Sequence, residues 1–316
     1  MRIIGTGGAA PELIVTNDDL AAFLDTSDEW ISTRTGISRR RVMSGESLEI
    51  LGAKAAERAI EMSGLDISDI DYLICTNVIN KYITPGLGCI IQGILGLDCP
   101  SVDLNGACAG FVYALQMANG LLATGCARNV LIVSAEANSQ LCDWTDRSTC
   151  VLFGDAAGAV VVTGGGEVSF KMSSVPDKEV LYARNPPGNS PYSQKHEREY
   201  LHMNGQEVYK FAVSSAVRDI RELLEKSGMN PDDIGHYILH QANLRISESA
   251  RKRLDQPAEK FPSNIGEYGN TSSASVPLLL DELNRQGKLL DGENIIMSAF
   301  GAGLVTGTCL LRWNKC

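Results

Sequence analysis

An internal repeat is the sequence feature that most limits what this chain can fold into. The segment SGLDISDIDYLICTN at 63–77 aligns without a gap with SGMNPDDIGHYILHQ at 227–241, an offset of 164 residues. The same offset lays CAGFVYAL at 108–115 on SSASVPLL at 272–279. Matches at one constant offset indicate that the chain is an internal duplication.

Each copy alternates helices and strands. The order helix, strand, helix, strand predicts mixed α/β layers, with two sheets related by a pseudo-two-fold axis. A glycine run at 164–166 marks the seam, so we expect one half at 1–165 and the other at 166–316. Residues 137–153 have no counterpart in the second half, and the polar, proline-containing segment 184–200 predicts an exposed loop.

A cysteine stands where a buried helix is expected to begin. Small residues precede Cys108, and the run from Ala109 to Ala123 is largely apolar on all sides, which indicates a helix inside the protein. Unpaired amide N–H groups and the helix dipole are expected to stabilise a thiolate there and to lower the pKa of the thiol. The alternative is that Cys108 is a small core residue, as most free cysteines are.

Composition argues against several classes of function. The 316 residues carry a net charge of −10, which argues against general nucleic-acid binding. The nine cysteines are scattered singly, so neither a zinc site nor a disulfide framework is indicated. The sequence shows neither a membrane span nor a signal peptide, and we expect reduced thiols in the cytoplasm.

Two polar residues of the second copy are expected to converge on the cysteine. On the repeat alignment Cys108 falls opposite Ser272, and His240, at the end of a predicted strand, falls opposite Thr76. Asn270 precedes the helix of the second copy. In a duplicated fold the two central helices face each other across the axis, so that groups at their starts meet. Taken singly, a lone histidine is more often structural, and the asparagine is a helix N-cap.

Five longer motifs carry a resemblance to a known family. ACAGF around Cys108, HQANLRI from His240 and YGNTSSASVP around Asn270, together with DTSDEW and FGDAAGA, resemble the β-ketoacyl-acyl carrier protein synthase III family. The likeness runs from Ile3 to Trp313. It implies a thiolase-like α/β fold, internally duplicated and five-layered (αβαβα) with pseudo-two-fold symmetry, and a homodimer.

The resemblance implies a reaction and a role for each residue. The family joins an acyl-CoA primer to malonyl-acyl carrier protein in a decarboxylating Claisen condensation that initiates fatty acid synthesis. Cys108 would take the acyl group as a thioester, and His240 and Asn270 would donate hydrogen bonds that stabilise the malonyl enolate. The backbone N–H groups of Cys108 and Ala302 would form a second oxyanion site. Acyl-CoA is a substrate, and no cofactor or metal is implied.

The resemblance extends to a CoA site. Trp30 and Arg147 resemble a pair that sandwiches the adenine ring through π-stacking and cation–π contacts. Thr26 and Arg34 resemble polar CoA contacts, and Asn243 resembles a contact to the pantetheine arm. Taken alone, Trp30 is a surface-packed ring and Arg147 a solvated charge.

A basic segment is expected to dock the acidic carrier protein. Although a basic helix is usually a solvated face, this one follows the strand that ends at the histidine, and its position favours docking. Its basic residues, with one more from an earlier helix, are Arg245, Arg251, Lys252, Arg253 and Lys210.

The acyl pocket is expected to involve a residue that crosses the dimer interface. In the family the residue before a loop proline lines the partner's acyl tunnel and is commonly phenylalanine. The segment KYITPG places Thr84 at that position. A smaller side chain leaves more room, so we expect primers longer or bulkier than acetyl to be accepted.

Other readings remain open from the residues themselves. A related condensing enzyme of specialised metabolism, of the quinolone or polyketide-starter type, would use the same three residues. Hydroxymethylglutaryl-CoA synthase is disfavoured because no matching glutamate base is recognised near Cys108. A non-catalytic CoA-binding paralogue is disfavoured because Cys108, His240 and Asn270 are all present. A thiol protease is disfavoured because a buried apolar helix after Cys108 leaves no open cleft for a peptide.

Overall fold

The structure is a computed structural model that describes residues 1–185, 191–192 and 199–315. Most of the predicted loop at 184–200 therefore lies outside the described residues. The strands and helices of the first copy are β1 Arg2–Ala9, β2 Ile14–Thr16, α1 Asn17–Ala21, α2 Asp28–Thr35, β3 Arg39–Arg41, α3 Leu48–Ser63, β4 Tyr72–Thr76, α4 Leu87–Leu95, β5 Ser101–Leu104, α5 Gly110–Ala123, β6 Asn129–Ala137 and β7 Asp155–Thr163.

The second copy follows the seam. Its elements are β8 Val168–Asp177, β9 Leu181–Tyr182, β10 His202–Met203, α6 Gly205–Ser227, β11 Ile234–Leu239, α7 Leu244–Leu254, α8 Ile265–Tyr268, α9 Ser275–Arg285, β12 Asn294–Gly301 and β13 Gly303–Arg312. Short 3₁₀ turns lead into several of these elements, among them Ala107–Ala109 before α5 and Ser272–Ala274 before α9.

The two sheets repeat one topology. The first sheet has the order β1-β7-β6-β4-β5 and the second β11-β12-β13-β8. In the first sheet β4 pairs parallel with β6, and β6 pairs antiparallel with β7. In the second sheet β11 pairs parallel with β12, and β12 pairs antiparallel with β13. β1 and β8 then pair antiparallel with β7 and β13 respectively. The four strands of the second sheet each have a counterpart in the first, which carries β5 as an additional edge strand, and this correspondence confirms the predicted duplication. All strands of the first sheet precede the glycine run and all those of the second follow it, while the division at residue 165 stays a prediction.

Three apolar clusters separate five layers. α3 and α4 cover the outer face of the first sheet, and α6 and α7 cover the outer face of the second. α5 and α9 lie between the sheets, in a cluster that draws residues from both. Phe111, Val112 and Leu115 of α5 have no exposed surface, as the all-round apolar run predicts. The arrangement is the expected αβαβα.

The repeat alignment is wrong by one residue at the central turns. Gly64 and Gly228, which end α3 and α6 with φ of 70° and 66°, keep the predicted spacing of 164. The 3₁₀ turns, however, begin at Ala107 and Ser272, whose φ values are 47° and 50°. Equivalent backbone therefore places Cys108 opposite Ser273, because the second copy has one extra residue before its turn.

In the part of the chain that the structure describes, no helix combines the length and apolar character needed to cross a membrane.

The contact between β1 and α3 leaves no room for side chains, and this generates a prediction. A Cβ on Gly7 would lie 2.0 Å from the carbonyl oxygen of Ala55 in α3. Because helix backbone cannot yield as a side chain can, we expect Gly7→Ala to lower the free energy of unfolding by about 1–3 kcal/mol. Urea denaturation measures this.

The matched control is Gly120→Ala in α5, where a Cβ would meet open space. This variant should be unchanged or more stable by up to about 1 kcal/mol, since alanine is the better helix former. Equal effects of the two substitutions would contradict the packing account.

Candidate active site

The nucleophile candidate lies on a strained turn. Cys108 is in the 3₁₀ turn that follows β5 and opens directly into α5, so the predicted position at the start of a buried helix is confirmed. The turn is entered through Ala107, whose N–H donates to Asn105 Oδ1 (3.1 Å) and whose φ is positive. A non-glycine residue in the left-handed region is uncommon, so packing must hold this turn in place.

The expected lowering of the thiol pKa is wrong. Burial raises the pKa of Cys108 to about 12, and the negative charge of Glu136 adds to the rise. A hydrogen bond from the Ser272 hydroxyl, whose Oγ lies 3.3 Å from Cys108 Sγ, opposes it, and so does a backbone N–H. The helix start is present as predicted, but desolvation outweighs it. The resting nucleophile is therefore a thiol whose proton must be removed.

His240 is held as a neutral hydrogen-bond donor. It follows β11 and its backbone N–H donates to the Ser298 carbonyl (2.8 Å). Its Nδ1 lies 2.7 Å from Ser275 Oγ, which also accepts the N–H of Gln241 (3.3 Å). The Ser275 proton is therefore free to point at Nδ1, which leaves the ring proton on Nε2. Burial lowers the pKa of His240 to about 3, so the ring is uncharged at neutral pH.

Asn270 is oriented by the turn that follows it and by the segment before β7. Its Oδ1 accepts the N–H of Ser272 (2.9 Å), and its backbone N–H donates to the Leu152 carbonyl (2.8 Å). Its carbonyl in turn accepts the N–H of Gly154 (3.1 Å). Because the amide oxygen is engaged, the NH₂ end is the part available to a ligand. Asn270 thus serves both the local turn and the site.

The three side chains line one cavity. Cys108, His240 and Asn270 all border a cavity of about 750 Å³. Much of the remaining wall is apolar and includes Leu141, Leu152, Phe153, Leu181, Leu201, Met203, Val208, Ile246 and Phe300. The Phe300 ring also meets His240 edge-on, with centroids 5.2 Å apart. A cavity with this lining suits an acyl chain that ends at the polar cluster.

The turn between β12 and β13 packs against the cysteine. A Cβ on Gly301 would lie only 2.7 Å from the backbone nitrogen of Cys108, so this approach requires glycine. Ala302, the next residue, lines the cavity. The turn is therefore beside the N–H of Cys108, where a second oxyanion donor is expected.

The residues expected at a CoA site form a cluster at one side of the cavity. Arg34 Cζ lies 4.8 Å and Arg147 Cζ 5.1 Å from the centre of the Trp30 ring. Asn243 lines the cavity and donates to the Arg34 carbonyl (3.1 Å). The Thr26 hydroxyl is buried and has no hydrogen-bond partner among the described residues.

The expected sandwich is closed in this structure. A ring held between Trp30 and Arg147 needs two contacts of about 3.5 Å each, so about 7 Å in total. The separation of 5.1 Å is too short. Arg147 is also fixed by Asp25, whose backbone carbonyl accepts from it and whose carboxylate pairs with it at 3.3 Å. Insertion of a ring would require the guanidinium to move by about 2 Å.

Some of the basic residues on and near α7 are exposed, and others are held in salt bridges. Arg245 is exposed and lines the cavity, and Lys252 and Arg253 are exposed at the far end of the helix. Arg251, by contrast, is bound to Glu248 (2.9 Å), and Lys210 to Glu207 (2.8 Å). These two cations are already paired and contribute less to a docking surface than the sequence suggests.

Thr84 lies apart from the cavity. It is exposed in the loop before α4 and does not line the cavity of its own chain. The neighbouring Ile83 is 92% exposed and Tyr82 43% exposed.

Sequence reasoning missed three residues of the site. Ser275 holds the histidine, Ser272 reaches the thiol, and Glu136 is wholly buried beside both turns. The two serines lie within a motif that the resemblance used without giving them a role. Glu136 gave no signal, since it is one polar residue in a strand 28 positions from the cysteine, and the serine that donates to it lies in the other half.

Comparisons with known proteins agree with this geometry. A family model for 3-oxoacyl-[acyl-carrier-protein] synthase III matches residues 102–176, and the model of its C-terminal part matches 224–313. The β-ketoacyl-[acyl-carrier-protein] synthase III of Clostridium acetobutylicum is 42% identical over 100% of this chain and 99% of its own. That of Methylococcus capsulatus is 40% identical over 99% and 98%.

Solved structures agree as well. The 3-oxoacyl-[acyl-carrier-protein] synthase III of Aquifex aeolicus superposes with a TM-score of 0.93 at 40% identity, covering 99% of each chain. The priming β-ketosynthase of the R1128 polyketide biosynthetic pathway superposes with a TM-score of 0.90 at 35% identity, covering 100% of this chain and 97% of its own. The chain has the duplicated thiolase fold and belongs to the β-ketoacyl-acyl carrier protein synthase III family.

Proposed function

We propose that the protein catalyses the decarboxylating Claisen condensation of an acyl-CoA primer with malonyl-acyl carrier protein, the first condensation of fatty acid synthesis. The observation that carries the proposal is the meeting of a thiol, a neutral imidazole and a carboxamide on one cavity with apolar walls. Family membership supports the same reaction.

The first half-reaction transfers the primer. Cys108 sulfur attacks the acyl-CoA carbonyl carbon, and the C–S bond to CoA breaks. Negative charge develops on the carbonyl oxygen as the tetrahedral intermediate forms. The backbone N–H groups of Cys108 and Ala302 stabilise that charge, because the turn at Gly301 is packed against the cysteine.

The second half-reaction forms the new carbon–carbon bond. The bond from the malonyl α-carbon to its carboxylate breaks, CO₂ leaves, and the electron pair becomes an enolate. Nε2–H of His240 and the NH₂ of Asn270 donate to the enolate oxygen. The enolate carbon attacks the acyl thioester, and Cys108 departs as a thiolate, which takes up one proton from the solvent to restore the resting thiol. A neutral histidine suits this step, because an imidazolium would protonate the enolate before it reacts.

The division of labour between the three residues can be tested. After incubation with an acyl-CoA, intact-protein mass spectrometry should show one acyl group on the wild type and none on Cys108→Ala. His240→Ala and Asn270→Ala should still be acylated but should lose decarboxylation of malonyl-carrier protein by about 10²–10³-fold. Because burial lowers the pKa of His240 to about 3, wild-type decarboxylation should not fall between pH 8 and pH 5 through this group.

The matched control is His236→Ala, in the strand that His240 follows but outside the cavity, where the ring contacts Glu293. It should leave both half-reactions intact. If His240→Ala decarboxylates as fast as the wild type, the assignment fails.

Acyl-CoA binding is proposed at the cluster around Trp30. Arg147 would swing away from the ring and admit the adenine, with Arg34 on the same indole. The buried, unpartnered hydroxyl of Thr26 gains a hydrogen-bond partner in this arrangement. Asn243 joins the cluster to the cavity, where the pantetheine arm would run toward Cys108.

Carrier protein is proposed to dock on α7. Arg245 at the cavity and Lys252 on the same helix offer exposed charge to an acidic partner on a chain that is otherwise acidic. Arg251, Arg253 and Lys210 flank this surface, and two of them are already paired.

Charge reversal tests the docking surface. Arg245→Glu combined with Lys252→Glu should raise KM for malonyl-carrier protein by about tenfold or more, because complementary charge is replaced by repulsion. Transfer of the primer from CoA should be unchanged. Lys288→Glu, an exposed lysine outside α7, is the charge control. An unchanged KM in the double variant would contradict the docking surface.

A homodimer is proposed to complete the acyl pocket. The exposed Ile83 and Tyr82 present apolar surface in the loop that carries Thr84, and a second copy would cover it. Thr84 would then reach the acyl cavity of the partner. Its small side chain would leave room for long primers.

Primer preference tests this arrangement. We expect kcat/KM for octanoyl-CoA to equal or exceed that for acetyl-CoA, since threonine does not block the pocket. Thr84→Phe should lower the octanoyl value by about tenfold or more and spare the acetyl value, whereas Thr124→Phe on an exposed helix end should change neither. Light scattering on the same samples reports the dimer. A strict acetyl preference of the wild type would defeat the prediction.

A priming role in polyketide synthesis is the second candidate, because the R1128 priming β-ketosynthase is similar over the whole chain. Efficient turnover of ordinary acyl primers with the malonyl-carrier protein of fatty acid synthesis would favour the fatty acid role over the polyketide role.

Eight free cysteines among the described residues support a reducing location such as the cytoplasm.

A further inference from the structure

A buried carboxyl group lies beside the nucleophile, and none of the described residues places a cation against it. Glu136, near the end of β6, has no exposed surface. Its Oε1 accepts from the Ser273 hydroxyl at 2.5 Å, and its Oε2 accepts the N–H of Val78 at 3.0 Å. Its hydrogen-bond partners are hydroxyls and backbone N–H groups, so they do not neutralise a negative charge. Burying such a group is costly, and groups of this kind concentrate at functional sites.

One hydroxyl connects this carboxyl group to the cysteine. Ser272 Oγ lies 3.3 Å from Cys108 Sγ. Ser273, the next residue of the same turn, donates to Glu136 at 2.5 Å, and Ser272 itself lies close enough to Glu136 to help lower the pKa of that carboxyl group. The Ser272 hydroxyl has a single proton, which is directed at the sulfur in this structure. Rotation of the hydroxyl would aim that proton at the carboxylate and present a lone pair of the oxygen to the thiol proton.

The charge balance of the site favours this route. Burial raises the pKa of Glu136 to about 7, so the group is largely a carboxylate just above neutrality. Ionisation of Cys108 by loss of its proton to water would place a second negative charge beside the first. Transfer of that proton to Glu136 keeps a single negative charge in the buried site. His240 is the poorer acceptor, because its pKa is lowered to about 3.

We propose that Glu136 receives the proton of the Cys108 thiol through the Ser272 hydroxyl when the primer is transferred. The S–H proton moves to Ser272 Oγ, and the Ser272 proton moves to the carboxylate. The sulfur electron pair forms the bond to the acyl carbon, and the pair of the broken C–S bond leaves on the CoA sulfur. The proton returns through the same hydroxyl to that sulfur, and Glu136 is a carboxylate again. The step rests on the proposed function, and Glu136 is a positioning residue that acts through Ser272.

The titratable groups that face Glu136 are Cys108 and Cys75 of β4, since both sense its charge. Burial also raises the pKa of Cys75 far above its ordinary value, so that thiol stays protonated. A pH dependence near neutrality in the acylation step is therefore expected from Glu136.

Single-turnover acylation with octanoyl-CoA between pH 5.5 and pH 9.5 tests the relay. The wild-type rate should rise through a midpoint near the pKa of Glu136, which is about 7. Glu136→Gln should be slower by about 10²-fold at pH 8, the usual contribution of a general base. Its rate should continue to rise up to pH 9.5, because the thiol must then ionise alone.

Two serine variants separate a relay from a structural role. Ser272→Ala removes the connecting hydroxyl, and the turn should tolerate alanine because Ala107 has the same positive φ in the equivalent turn. It should slow acylation as much as Glu136→Gln, and the double variant should be no slower than either. Ser273→Ala removes the hydroxyl bond that does most to lower the pKa of Glu136, together with a contact to Thr76, and leaves Ser272 in place. It should therefore move the midpoint by about one unit toward higher pH and leave the rate at pH 9 intact.

Alkylation of Cys108 by iodoacetamide gives a readout that needs no CoA substrate. Its rate should follow the same midpoint near 7 in the wild type and move above pH 9 in Glu136→Gln. If the wild type is never acylated but this shift is found, the proposed function fails and the relay stands. An unchanged pH profile in Glu136→Gln, or additive losses in the double variant, would overturn the relay.

Discussion

The contact between two short turns at the pseudo-two-fold axis determines the rest of the site. The turns before α5 and α9 meet between the sheets, and Ser272 of one reaches Cys108 of the other. Every other functional group is placed relative to this contact. Ser275 begins the helix after the second turn and holds His240, while Asn270 immediately precedes that turn and is bound to it. Removing the meeting point would therefore separate all three reactive groups.

The halves have kept one architecture and diverged in their polar interiors. Thr76 is the first-copy equivalent of His240 on the repeat alignment. Its hydroxyl donates to Ser134 (2.7 Å) and contacts Ser273 (3.0 Å). These hydroxyls continue to Glu136 and form a buried polar network on the side of the first sheet. The segment between β6 and β7, which has no counterpart in the second half, supplies the backbone groups that hold Asn270. The insertion predicted from the sequence thus supports the residue of the opposite copy.

The sequence was informative where local pattern and repetition decide structure. The α/β duplication, the buried helix after Cys108 and the convergence of His240 and Asn270 all follow from periodicity and one constant offset. The register of the central turns did not, because a positive φ at Ala107 and Ser272 has no signature when the residues are not glycine. The thiol pKa was misjudged for a related reason. A helix start is visible in sequence, whereas the depth of burial and the charge of Glu136 depend on what the other half places around the sulfur.

The positive φ of Ala107 and Ser272 has a consequence for mobility. A left-handed conformation in a residue with a side chain costs roughly 1–3 kcal/mol, and the surrounding layers must supply that energy. Glycine at either position would adopt the conformation without penalty but would also reach many others when the protein opens. Alanine and serine at these positions therefore cost backbone energy, but they restrict the conformations of the two turns and so the positions that the sulfur of Cys108 can take.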